Sequence, residues 1–223
     1  MFKQKETVVG KAVIKEWEPE LAKKLIVKHN LPEDTERIVV VSSDNLLKTA
    51  QGLNTTKRLQ KTETTVFHEV VHTLIGTREK TKVLLEVLHR NPSYYKEIKE
   101  AMIPILGINP TDTNLVHEFI ATALTYEKFG HFESAILPEE KLTAPRLYAL
   151  LKDDPRGKEL RQVLPIINIK PISKADSSSL SSSSPAAQKE YIFETATSAI
   201  INYASGSSPL INQKLSRLED LVG

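Results

Sequence analysis

The chain has 223 residues, 40% of them hydrophobic and 26% charged, the composition of a soluble globular protein with apolar side chains enough for a core. Its 30 Lys and Arg stand against 28 Asp and Glu, and a formal charge of +2 creates no field that would gather nucleic acid or an anionic membrane. With no Cys there is no disulfide scaffold, thiolate nucleophile or Cys-ligated metal, so a metal site has to be built from His and carboxylates.

Residues 1 to 11 (MFKQKETVVGK) lack the apolar h-region of a secretory signal. The longest apolar runs, 38–41 and 164–167, fall far short of the roughly 20 residues that span a bilayer. The expectation is a cytoplasmic or virion-associated protein with no membrane and no nucleic-acid partner.

Residues 7–14 and 37–42 are short β-branched runs on either side of a helix-like segment, 19–28, and predict a small sheet. From residue 62 the period becomes helical. Successive helices are expected over 62–75, stopped by Gly76, over 79–90, stopped by Asn91-Pro92, over 93–106, stopped by Gly107, and over 112–129, stopped by Gly130. Pro104 predicts a break near residue 103 in the third of these. Residues 138–164 add one or two more, interrupted at Asp154-Pro155. The fold class is therefore α+β, a mainly helical domain over 1–171 with a small N-terminal sheet. Residues 172–187 are Ser-rich, too poor in large apolar groups to offset their ordering entropy, and read as a linker. Residues 188–223 carry Ile192, Ala196, Ala199, Ile200 and Tyr203, then Leu210, Leu215, Leu218 and Leu221, at helical spacing. Such a helical tail needs a surface to cover, on its own chain, a second copy or a protein partner.

Within the helix expected at 62–75 stands His68-Glu69-Val70-Val71-His72, an H-E-x-x-H sequence. At 100° per residue, Phe67, Val70, Val71 and Leu74 share an arc facing the core, and His68 and His72 lie on its flank one turn apart. Two imidazoles at that spacing reach one Zn²⁺ at about 2.0–2.1 Å, and Glu69 sits where it can work on a water instead of binding the metal. A hydrolytic zinc site needs a third protein ligand. Residues 112–129 offer two candidates, His117 and Glu118, on opposite borders of an apolar arc of Leu115, Val116, Phe119, Ile120, Ala123 and Leu124. They point about 100° apart, so only one can face the metal, and periodicity does not choose between them.

The sequence HEVVHTL, followed 46 residues after His72 by the segment EFIATALT that begins at Glu118, resembles the zincin metallopeptidases of the gluzincin type. It is especially similar to the zincin-like peptidase domains of large polyvalent phage and mobile-element proteins. The resemblance implies His68, His72 and Glu118 as zinc ligands, Glu69 as the catalytic base, and a protein or peptide substrate. It also implies an edge strand beside the substrate just before the H-E-x-x-H helix, which residues 44–61 do not supply in readable form. No third-His motif follows His72, which excludes the metzincin subclass.

The oxyanion of peptide hydrolysis calls for a further donor. Tyr126 and His131 follow Glu118 closely enough to be candidates, and Thr122, one turn beyond Glu118, is placed to orient a ligand. His29 and His89 read as surface histidines, and Lys57, Arg58 and Lys61 as a solvated basic face. The expected function is a zinc-dependent endopeptidase. The alternative is a structural or cargo protein of a phage particle that keeps the fold and assembles through its tail.

Overall fold

The computed structural model describes residues 9–135 and 137–164, so the expected linker and tail helices, and the boundary at 171, lie outside the described residues. A two-stranded antiparallel sheet is formed by β1 (Gly10–Ile14) and β2 (Arg37–Val41), in a register that sets Gly10 opposite Val41 and Ile14 opposite Arg37. Helix α1 (Pro19–Lys28) connects them. Eight helices follow: α2 (Ser43–Thr49), α3 (Thr55–Ile75), α4 (Arg78–His89), α5 (Pro92–Ala101), α6 (Ile103–Leu106), α7 (Asp112–Phe129), α8 (Pro138–Lys152) and α9 (Gly157–Val163). The chain is thus α+β and mainly helical, as its periodicity predicts.

Local chemistry sets most helix ends. The side chains of Ser42, Asn54, Thr77 and Thr111 each accept a hydrogen bond from the backbone N–H three residues on, satisfying a donor that the first turn leaves free. Helix α7 ends at Gly130, whose φ of 69° is the left-handed conformation that costs glycine least, and whose N–H returns to the Tyr126 carbonyl. The break foreseen at Pro104 separates α5 from α6, and the one at Asp154-Pro155 separates α8 from α9.

Helix α3 is longer than its apolar period suggests, beginning at residue 55 and not 62. Its first two turns are polar, yet Lys61 is only 2% exposed. Its ammonium donates to the carbonyls of Glu133, Ser134 and Ala135 at 3.1, 3.3 and 3.1 Å, tying the loop after α7 to α3. Burial and the nearby Lys141 push its pKa down to about 8. The solvated basic face is therefore corrected at this residue. His29 is also buried, at the end of α1, and not a surface histidine.

The sheet packs on one side of α3 and α7 on another, while α8 and α4 cover α7. One core joins them, with Val66, Phe67, Val71 and Ile75 from α3 against Leu115, Val116, Phe119 and Ile120 from α7, and Leu84, Leu88, Tyr94, Ile98, Leu147 and Leu151 around them. Burying a side chain of this kind contributes about 1.5–3 kcal/mol. That packing fixes α3 and α7 side by side and hence brings residues 68, 72 and 118 together. None of the described helices is long and apolar enough to cross a membrane.

Candidate metal centre

Where α3 and α7 meet, the Nε2 atoms of His68 and His72 are 3.0 Å apart, the His68 Nε2 is 3.1 Å from Glu118 Oε2, and the His72 Nε2 is 3.3 Å from Glu118 Oε1. Ligands bound tetrahedrally at about 2.0–2.1 Å are separated by roughly 3.3 Å, so the three side chains outline one face of a zinc coordination tetrahedron. The donors belong to a group that lies within 4.8 Å of one another, the one group of its kind among the described residues. Each arrives on a rigid helix, His68 and His72 one turn apart on α3 and Glu118 in the middle of α7.

The electrostatics ask for a cation. Burial alone would raise the Glu118 carboxyl, but the His72 and His68 imidazoles outweigh it and hold the carboxyl well below the usual range. At His72, burial favours the neutral ring, yet attraction to Glu118, a hydrogen bond to it, and the Glu69 charge raise the pKa overall. The carboxylate thus draws positive charge onto the site, which either a proton or a divalent metal could supply. The His68 Nδ1 is buried and has no hydrogen-bond partner among the described residues.

The competition between His117 and Glu118 is decided by the neighbours of α7. His117 turns toward α4, where its Nε2 lies 2.8 Å from Thr81 Oγ1. Burial first, and then the His72 charge, push its pKa down to about 4, leaving the ring neutral. Glu118 turns toward α3.

Beside the three donors opens a cavity of about 420 Å³, lined by Gly10, Ala12, Ile14 and Trp17 from the β1 end of the molecule, by Glu69 and His72, and by Thr113, Asn114, His117 and Glu118. Glu69 is half-buried on this wall, and among the described residues its carboxylate has no hydrogen-bond partner. The strand at the cavity is β1, near the start of the chain. Residues 44–61, which precede the H-E-x-x-H segment, hold α2 and the first turns of α3 and no strand.

Among the described residues, strand β1 is paired along one edge only. Ser42 N–H bonds the Val9 carbonyl at 2.9 Å and Lys15 N–H the Glu36 carbonyl at 2.8 Å, so the odd-numbered residues of β1 point their backbone groups toward β2. Those of Gly10, Ala12 and Ile14 therefore point the other way. The Ile14 carbonyl is taken by the N–H groups of Trp17 and Glu18, both at 2.9 Å. The N–H and C=O of Gly10 and Ala12 and the N–H of Ile14 have no backbone partner among the described residues.

The three further candidates lie off the cavity lining. Thr122 is fully buried, its hydroxyl unpartnered among the described residues. The Tyr126 ring packs on that of Tyr148, their centroids 5.7 Å apart, and His131 packs on Phe129 at 5.9 Å with its Nε2 buried and unpartnered. A neighbour that periodicity did not reveal is Phe132, whose ring is centred 5.5 Å from that of His68. It sits on the loop that Lys61 holds, a contact between distant segments with no local signal. Exposed His89 does have a partner, Asp112, at 3.0 Å. Comparison with protein-family models, with curated proteins and with solved structures finds no match for this chain.

Proposed function

We propose that the protein is a zinc-dependent endopeptidase with a zincin-like fold. The observation that carries this reading is the triangle of His68, His72 and Glu118 donors at 3.0–3.3 Å, beside a cavity that also takes in Glu69, a carboxylate with no hydrogen-bond partner among the described residues. His68, His72 and Glu118 would hold the zinc ion, which would supply a Lewis acid for the carbonyl and an acidified water. Glu69 would serve as general base and acid, taking the proton from the attacking water and delivering it to the amine nitrogen as the C–N bond breaks. The backbone groups of Gly10 and Ala12 and the Ile14 N–H, unpaired among the described residues, support a peptide as substrate, because an extended chain can add to that edge through main-chain hydrogen bonds across the cavity. The 420 Å³ opening accommodates a few residues of such a chain and not a folded domain.

The test compares zinc-loaded wild type and Glu69→Gln on unstructured proteins, with fragments read by mass spectrometry and zinc content measured alongside. The variant is expected to keep its zinc and lose about 10²–10⁴-fold in cleavage rate. Cleavage by the variant at the wild-type rate would refute the role of Glu69. A zinc-loaded wild type that cuts nothing would favour a structural role for the fold.

A further inference from the structure

Among the described residues Glu69 has no hydrogen bond to hold its carboxylate on the cavity wall it shares with His72 and Glu118, which leaves packing to set its orientation. The backbone of β1 passes directly over it. A Cβ placed on Gly10 would lie 2.8 Å from Glu69 Cγ, 3.0 Å from Glu69 Oε1 and 3.0 Å from Thr65 Cγ2. Ordinary carbon–carbon contacts are about 3.5–4.0 Å, so a methyl group does not fit. Thr65 and Glu69 are successive turns of α3, and Thr65 is 3% exposed, which leaves that side of the pocket no room to yield. Gly10 is in an ordinary extended strand, since its φ is not among the positive ones. Glycine is therefore required here by the approach of the Glu69 side chain and not by backbone conformation.

We propose that Gly10 is a positioning residue, whose missing side chain leaves β1 seated on the Cγ of Glu69 and so fixes the carboxylate at the cavity wall beside His72 and Glu118. Resting on the peptidase reading for its catalytic consequence, the inference makes the first residue of β1 part of the base's support. With alanine at position 10, the flexible Glu69 side chain is the group that gives way, through a rotation that carries the carboxylate away from the metal donors. Misplacing a reacting group by about 1 Å costs on the order of 10²-fold in rate.

The experiment is a double-mutant cycle on the full zinc-loaded chain, with Gly10→Ala, Glu69→Ala and the pair, reading both thermal midpoint and peptide cleavage. Gly10→Ala is expected to lower the midpoint by about 2–4 °C, and by less than half of that when Glu69 is already alanine, because the clash is with the removed side chain. In cleavage, Gly10→Ala is expected to lower kcat by 10- to 100-fold with KM and zinc content unchanged. A variant that fails to fold as Gly10→Ala and folds as the pair supports the same coupling. Equal losses of midpoint with and without the Glu69 side chain, or failure of both variants to fold, would overturn the inference. So would a Gly10→Ala enzyme that cleaves like wild type, a result that leaves the peptidase reading standing. A wild type that cleaves nothing while the thermal coupling persists would remove the peptidase reading and leave the packing of Gly10 on Glu69 in place.

Discussion

Replacing Glu118 by Gln tests whether this residue of α7, and not His117, is the third ligand of the proposed zinc site. The exchange keeps the side chain's size and one oxygen, but removes the charge that lies 3.1 and 3.3 Å from the two imidazole nitrogens. Structural zinc sites with four ligands bind with about 10–16 kcal/mol of apparent free energy, which is about 2.5–4 kcal/mol per ligand. Losing Glu118 as a ligand should therefore weaken zinc binding by roughly 10²–10³-fold. His117→Ala is the matched comparison. Its Nε2 is occupied by Thr81 Oγ1 at 2.8 Å on the α4 side, so its loss should change zinc affinity by no more than about threefold. Both variants can be titrated with zinc against a chromophoric chelator at pH 7.5, with far-UV circular dichroism to verify that α3 and α7 are intact. A larger loss for His117→Ala than for Glu118→Gln would refute the assignment and with it the geometry on which the site rests.

Other consequences follow from the same contacts. In the metal-free protein, the raised pKa of His72 contributes stability that is full below its unfolded value near 6.5 and is lost as pH climbs through the folded value. The depressed pKa of Glu118 contributes stability present above its unfolded value near 4.5 and lost only as pH falls through the folded one. Metal-free stability from this pair should thus be greatest between about pH 4.5 and 6.5 and decline above it, while zinc, which needs neutral imidazoles, gains over the same rise. Calorimetry from pH 6 to 8 should show the gap between zinc-loaded and metal-free midpoints widening, and a constant gap would contradict the assignment. Lys61→Met keeps the side chain's length but abandons three carbonyls of the loop after α7, so it should cost about 2–3 kcal/mol in urea denaturation, whereas a solvated lysine would cost within about 0.5 kcal/mol.

Legibility in the sequence followed the range of the interactions. The helix stops at Gly76, Gly107 and Gly130 and the breaks at Pro104 and Pro155 are local events, written in residues that weaken or interrupt a helix, and they are readable. So was the pairing of His68 with His72, which needs only the period of α3. The start of α3 was hidden because its first turns are polar, and the buried lysine among them mimics a surface charge. Asn54 was the available signal, a residue that caps α3 by accepting from Lys57 N–H at 2.9 Å. Choosing Glu118 over His117 needed the positions of α3 and α4 on either side of α7, which no single-helix pattern contains. The wall of the cavity was hidden for the same reason. Strand β1 is more than fifty residues from Glu69, and nothing in Gly10 itself announces that its lack of a side chain is filled by a carboxylate.

Zinc X-ray absorption spectroscopy on the protein loaded with one equivalent reads the proposed ligand set of two imidazoles and one carboxylate without an intermediary. The expected spectrum is that of a four-coordinate zinc with two imidazole nitrogens and oxygen donors at about 2.0–2.1 Å, with one imidazole lost in His72→Ala. A zinc whose shell holds fewer than two imidazoles in wild type, or is unchanged in that variant, would contradict that ligand set.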